Sequence, residues 1–138
     1  MLKGFRILNG SKLSANSLYD YLGVVIKGYE YIITYGLATN IIFDLSNNSI
    51  IAEIPRSIGS LRNLRLLNLS RNDLTSQIPK YLSKIHTLEE LDLSNNNLNG
   101  DIPEELTAST MLASLDLSCN RLCGKIPKET QFGTFNVI

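Results

Sequence analysis

The chain returns to the same residues every 24 positions. Asn48, Asn72, Asn96 and Asn120 keep that step. So do Leu45, Leu69, Leu93 and Leu117, Ile54, Ile78, Ile102 and Ile126, and Pro55, Pro79, Pro103 and Pro127. Four columns in one register leave few folds open. A unit of roughly 20 to 50 residues that recurs without interruption stacks on its own copies, each burying its apolar face only against its neighbours. One unit alone buries too few side chains to offset the entropy of ordering its backbone, so folding depends on the stack.

Within a unit, a segment such as LDLSN from Leu91 alternates apolar and polar residues. That alternation makes a short strand with its leucines inward and the intervening residues outward. The outward positions are Ile42, Asp44, Ser46 and Asn47, then Leu66, Asn68, Ser70 and Arg71, then Glu90, Asp92, Ser94 and Asn95, then Ser114, Asp116, Ser118 and Cys119. The chain must next turn away from the strand, carrying N–H and C=O groups into the coil where no ladder receives them. A carboxamide there supplies two donors and an acceptor, enough for its own turn and the neighbouring one. Asn48, Asn72, Asn96 and Asn120 are assigned to this inner ladder, Asn95 to the surface and Asn97 to a solvated turn. After the proline, SIGSLRNL, YLSKIHTL and ELTASTML follow an i, i+3, i+6 spacing, with Leu82, Ile85 and Leu88 in the second. This suits a single helical or 3-10 turn with proline near its start, where a missing N–H costs nothing.

Strands about 4.8 Å apart on one side and bulkier turns on the other force the stack to curve. The expected fold class is therefore α/β, with a parallel sheet on the concave side and short helical or 3-10 turns on the convex side. The units are placed at 41–64, 65–88, 89–112 and 113–136, after an N-terminal segment and cap at 1–40. Both ends of the stack need lids. Tyr29, Tyr31, Ile32, Ile33 and Leu37 are placed to cover the first coil, and Phe132 and Phe135 to fold across the last.

The unit from Leu64, LRLLNLSRNDLTSQIPKYLSKIHT, fits the L-x-x-L-x-L-x-x-N-x-L pattern of leucine-rich repeats. Its N-x-L-x-G-x-I-P continuation, intact as NNLNGDIP and NRLCGKIP, resembles the plant extracellular class, so the expected architecture is a short leucine-rich-repeat solenoid. The stretches VVIKGYEYIITYGLATNIIFDLSNN and KIPKETQFGTF further resemble the membrane-proximal repeats of plant leucine-rich-repeat receptor-like proteins. That resemblance runs from about Tyr19 to Phe135; residues 1 to 18 match no known pattern. It implies a place at the cell surface, perception of a protein or peptide ligand, and contact with a co-receptor kinase ectodomain.

Composition closes other routes. Thirteen basic and thirteen acidic residues cancel, so no global field steers the chain to nucleic acid or anionic lipid. MLKGFRILNGSKLSANS has no apolar stretch of signal-peptide length, and no segment reaches the length of a membrane span, so neither leader nor anchor is expected. Cys119 and Cys123 are too few for a disulfide scaffold, and free thiols are expected of them, since a disulfide needs Cα atoms within about 7 Å. No phosphate loop or metal-ligand spacing occurs, so no cofactor and no metal is expected. Asp92 and Asp116 fall on adjacent strands at about the 5 Å that a retaining glycosidase uses. An open sheet face, however, keeps both carboxylates solvated and gives no pocket to hold one protonated. His86 lies on the convex turn, away from the serines and aspartates, which excludes a Ser-His-Asp arrangement. No catalytic residue is assigned, and the chain is not expected to be an enzyme.

The expected binding face is concave: Asp44, Asn47, Leu66, Asn68, Arg71, Glu90, Asp92, Asn95, Ser114 and Asp116. Charge along it is uneven. Unit 65–88 holds Arg65, Arg71, Lys80 and Lys84 against Asp73, whereas 89–112 holds Glu89, Glu90, Asp92, Asp101, Glu104 and Glu105 with no base. Stacking predicts that Arg65 meets Glu89 and Lys80 meets Glu104, at about 0 to 1 kcal/mol each. Sequons occur at Asn9, Asn47 and Asn68, of which Asn47 and Asn68 would carry glycans on the concave face. A sheet face of about 300 Å² is small beside the roughly 800 Å² per partner of a standard interface, so flanks and turns would have to contribute. The expected function is a protein-interaction module in ligand perception, co-receptor contact and defence or developmental signalling. An inhibitor of a secreted microbial cell-wall hydrolase would use the same repeats. A truncated fragment without independent function is the remaining alternative, to which Ala52 and Ser76 point, standing where Gly100 and Gly124 stand in later units.

Overall fold

The computed structural model describes residues 5–10, 20–26, 29–35 and 41–128, with side chains for 41–128. Strands β1 (Phe5–Gly10), β2 (Asp20–Ile26) and β3 (Tyr29–Tyr35) form an antiparallel sheet in that order, with Ile7 opposite Val24 and Leu22 opposite Ile33. The expected lid residues Tyr29, Tyr31, Ile32 and Ile33 fall on β3, and their side chains lie outside the described residues, as do Leu37, Phe132 and Phe135 altogether.

From residue 41 the 24-residue step becomes a stack of coils. Strands β4 (Ile41–Asp44), β5 (Leu64–Asn68), β6 (Glu90–Asp92) and β8 (Ser114–Asp116) pair in parallel in the order β4-β5-β6-β8. Their register sets Phe43, Leu67, Leu91 and Leu115 side by side, all buried, with a bulge at Ile41/Ile42. Opposite the sheet, the turns are 3-10 helices: η1 (Arg56–Ser60), η2 (Lys80–Lys84) and η3 (Glu104–Ala108). Pro55, Pro79 and Pro103 precede them in extended conformation, where no amide hydrogen is called for. The N–H groups of Leu61, Ile85 and Ser109 close the helices onto the carbonyls of Ile58, Leu82 and Leu106.

The core is built in columns. Ile58, Leu82 and Leu106 face it from the 3-10 side, Leu64, Leu88 and Leu112 from the entry to the strands, and Ile50, Leu74 and Leu98 from the turn after the ladder asparagine. Burial of each such side chain is worth about 1.5 to 3 kcal/mol. Three positions depart from the repeat. Leu45 in the first coil is only half-buried, Ser109 stands buried where the first two coils have Leu61 and Ile85, and Ile126 is 48% exposed although Ile54, Ile78 and Ile102 are buried.

A second, narrow sheet was not foreseen. Between the ladder asparagine and the proline, β7 (Asn99–Gly100) pairs in parallel with β9 (Arg121–Leu122), and isolated bridges join Glu53 to Thr75 and Gln77 to Asn99. Gly100 and Gly124 take positive φ here, at 77° and 91°. Ser76 follows them at 73° without the freedom of glycine, whereas Ala52, at this place in the first coil, is not among the positive-φ residues and Ser49, earlier in that coil, is, at 50°.

Candidate interaction surface

The asparagine ladder sets the pitch of the stack and thereby the outward face. Asn96 Nδ2 donates to the carbonyls of Leu69 (3.0 Å), Leu93 (3.1 Å) and Ser94 (3.2 Å), while its Oδ1 accepts from Leu74 N–H (3.0 Å). Asn72 repeats this one coil earlier, donating to Leu45, Leu69 and Ser70 and accepting from the N–H groups of Asn48 and Ile50. Asn120 repeats it one coil later. Each side chain therefore joins its own coil to the one before it. Asn72 and Asn96 are buried and Asn120 half-buried, as the ladder requires. Asn48 corrects the expectation: it is exposed, and its Nδ2 donates only within its own coil, to Leu45 and Ser46. Among the described residues, no carbonyl of a preceding coil lies at its Nδ2 as Leu45 O lies at that of Asn72.

On the outward face, the register places Ile42, Leu66, Glu90 and Ser114 in one row and Asp44, Asn68, Asp92 and Asp116 in the next. Ile42, Asp44, Glu90 and Ser114 are exposed, and Leu66, Asn68, Asp92 and Asp116 are half-buried. Ser70 and Ser94, expected to point outward, are buried. The strands end at Asn68 and Asp92, so the alternation of faces stops one residue before each serine. In every coil the side-chain oxygen of the second row then accepts the N–H two residues on: Asp44 from Ser46, Asn68 from Ser70, Asp92 from Ser94 and Asp116 from Ser118, at 2.9 to 3.0 Å. Asn68 Oδ1 also takes the Ser70 hydroxyl at 2.7 Å. These are Asx turns, a second ladder that period-two reading did not separate from the binding face. The Ser46 N–H, and secondarily its side chain, hold the Asp44 carboxyl below its usual 3.8 against a small opposing effect of burial. Asp92 and Asp116 are thus neighbours as expected, with one oxygen of each committed to its own turn.

The next residues, Asn47, Arg71, Asn95 and Cys119, are exposed and left-handed, with φ of 54° to 56°. Their column bends the chain out of the sheet, and the N–H groups of Asn47, Arg71 and Asn95 reach the carbonyls of Ser70, Ser94 and Ser118 on the following coil. Asparagine tolerates this conformation at low cost, whereas arginine and cysteine carry strain on the order of 1 kcal/mol or more. The result is a rim beside the sheet on which Arg71 is the one cation.

Elsewhere the expected pairings are partly revised. Arg65 and Glu89 form an ion pair between β5 and the coil that follows. Lys80 reaches Glu105 at 3.8 Å rather than Glu104, because a 3-10 turn rotates successive side chains by about 120° and it is Glu105 that shares the η2–η3 flank with Lys80. His86 is exposed on the 3-10 side, and Cys119 and Cys123 are free and exposed. Among the described residues, no helix is long and apolar enough to cross a membrane.

This repeating pattern agrees with the family model described as Leucine Rich Repeat over residues 41–61, 63–85, 87–108 and 111–132, more than half of the chain. The chain belongs to the leucine-rich repeat family. Among solved structures, these leucine-rich repeats are similar to the ectodomain of the Arabidopsis receptor kinase HAESA in complex with an N-terminally extended IDA peptide hormone ligand. The identity is 34% and the TM-score 0.65 over 69% of this chain and 16% of that one. They are similar also to HAESA in complex with IDA and the co-receptor SERK1, at 42% identity and a TM-score of 0.55 over 62% of this chain and 14% of that one. The ectodomain of the receptor kinase SOBIR1 from Arabidopsis thaliana matches at 27% identity and a TM-score of 0.56, over 87% of this chain and 55% of that one. No curated relative matches the chain. The resemblance to plant extracellular leucine-rich repeats read from NNLNGDIP and NRLCGKIP, and to plant receptor-like proteins read from the flanking stretches, is borne out, and the chain spans only a part of each of these ectodomains.

Proposed function

We propose that this leucine-rich repeat chain is a protein-interaction module of the plant cell surface, whose sheet face takes a protein or peptide ligand and contacts a co-receptor kinase ectodomain. The observation that carries the reading is the composition of that face. Exposed Ile42 and half-buried Leu66 lie in one row with Glu90 and Ser114, the Asx-turn row lies beside them, and Arg71 projects from the rim. A flat face with a short apolar strip, one unpaired acid and one rim cation suits an extended polypeptide better than a small enclosed substrate. HAESA forms complexes with a peptide hormone and a co-receptor, and this supports the same partner classes here.

The finer parts of the proposal are an extracellular location, glycans at Asn47 and Asn68, and a role in defence or developmental signalling. Asn47 is exposed and Asn68 half-buried against Ser70, so Asn47 is the better glycan acceptor of the two. A pull-down of the secreted chain against a panel of co-receptor kinase ectodomains, with and without candidate peptides, tests the reading. Capture is expected, with a loss of about tenfold or more on Glu90→Arg or Arg71→Glu, the range of rim and core charges in interfaces. Failure of every ectodomain to bind the folded chain would refute it.

A further inference from the structure

The 3-10 side carries a second surface, of one sign. Between the first two coils lies a shallow depression of about 700 Å³ lined by Arg56, Arg62, Lys84 and His86, with no carboxylate among its lining residues. All four are exposed. The ion pairs among the described residues join Arg65 to Glu89 and Lys80 to Glu105, so none of the four has an acidic partner there. Two further depressions mix signs: Glu53, Asp101 and Glu105 accompany Arg56 and Lys80 in one, and Asp101, Glu104 and Glu105 accompany Lys125 and Lys128 in another. A chain of zero net charge has therefore gathered unpaired cations in one place, and the local field there favours an anion from outside.

The arrangement also limits the shape of that anion. Arg56 and Arg62 flank η1, and Lys84 lies at the end of η2 beside His86, so the three cations run across two coils rather than around a point. The coils are tightly apposed between them: a Cβ on Gly59 would stand 2.5 Å from the Tyr81 carbonyl oxygen. Lys84 Nζ sits 5.1 Å from the centroid of the Tyr81 ring, which fixes the ammonium over a flat wall. The N–H groups of Ile58, Leu61, Leu82 and Ile85 are all spent inside the turns, and Ser60 donates to the Ser57 carbonyl. This surface thus offers side-chain donors and no strand edge, so an acidic peptide laid across it would find nothing for its own amides. A saccharide chain engages guanidinium and ammonium groups through its carboxylates and leaves its hydroxyls in water.

We infer that the η1–η2 depression docks a linear carboxylated polysaccharide, on the side of the solenoid opposite the proposed protein-binding face. The full chain is titrated with a sodium polyuronate, with the same polymer fully methyl-esterified, and with poly-L-glutamate, at several salt concentrations. Polyuronate is expected to bind, and its affinity to fall roughly fivefold to twentyfold between about 50 and 200 mM salt, the upper end set by the three cationic contacts of Arg56, Arg62 and Lys84 at a slope of roughly 0.7 each. Esterification and Arg56→Glu with Arg62→Glu should each weaken binding about tenfold or more, by removal of most of those contacts, and Lys84→Glu with His86→Glu about threefold or more, by reversal of the third. The circular dichroism spectrum should stay unchanged, because the replaced side chains are exposed. Lys125→Glu, on the last coil, should change affinity by less than about twofold, since it lies outside the depression. Poly-L-glutamate binding as tightly as polyuronate would assign the surface to an acidic polypeptide and overturn the inference. So would affinity indifferent to salt, or equal losses from Lys125→Glu and the paired reversals.

Discussion

Asn96→Ala is expected to be among the most damaging single changes to a polar side chain in this molecule, and the structure shows which backbone groups it strands. Of the four groups that Asn96 serves, three have a second partner. Leu69 O also receives Asn72 Nδ2, Leu93 O receives Asn120 Nδ2, and Ser94 O receives the Arg71 N–H. Leu74 N–H has only Asn96 Oδ1, and Leu74 is fully buried. One orphaned buried N–H costs about 1 to 3 kcal/mol and three weakened carbonyls about 0.5 to 1 kcal/mol each, so the change should cost about 2.5 to 6 kcal/mol. With a slope near 2 kcal/mol per molar urea, the midpoint should fall by about 1.3 to 3 M. The chain has no tryptophan, so far-ultraviolet circular dichroism is the suitable readout. Asn96→Asp sharpens the test. A carboxylate keeps an acceptor for Leu74 but turns a charge toward three carbonyl oxygens, and should therefore cost at least as much as alanine. Asn48→Ala, at the exposed rung where Leu45 O keeps Asn72, should cost less than about 1 kcal/mol. A mild Asn96→Asp, or equal losses at Asn48 and Asn96, would refute the argument that donors trapped between coils hold the stack together.

Other outcomes are also expected. Gly100→Ala should lower stability by about 1 to 2 kcal/mol, since its φ of 77° disfavours a side chain and the new Cβ would stand 3.0 Å from Gln77 Cγ. Ser76→Gly should raise stability by about 0.5 kcal/mol, the relief of its left-handed conformation exceeding the added freedom of the unfolded chain; urea midpoints decide both. A double-mutant cycle on Arg65 and Glu89 should return no more than about 1 kcal/mol, because both side chains are more than a third exposed and solvent screens the pair. Asp44 has its folded-state pKa held below 3.8, so its turn contributes stability at higher pH that fades as pH falls through the folded-state value. Asp44→Asn should flatten the acid side of the stability profile, measured between about pH 5 and pH 2.

The repeat was legible because its columns carry the residues the physics demands: leucine where strands face inward, asparagine where a turn strands backbone groups, proline where a 3-10 turn begins. Elements of two residues were not. The pairing of Asn99–Gly100 with Arg121–Leu122 is too short to show any alternation. Burial of Ser70 and Ser94 was hidden because a period of two was carried past the ends of their strands. The left-handed column carries a signal at Asn47 and Asn95, the residue type that best tolerates that conformation, and none at Arg71 or Cys119. The pairing of Lys80 with Glu105 shows the limit of column arithmetic, which fixes backbone neighbours but not the direction of a long side chain on a tight turn. The basic depression is invisible to composition, since its three cations come from two coils and cancel against acids elsewhere in the chain.

The carbonyls of Leu69 and Leu93 each accept from the asparagines of two successive coils. Such sharing makes the register all-or-nothing: inserting one residue within a strand or its turn would misplace every later rung. Whole 24-residue blocks can be copied or lost, because a duplicated block brings its own donor and meets the same acceptor. The family can therefore lengthen by tandem duplication with no new chemistry at the joint, while smaller insertions are confined to the loops between rungs.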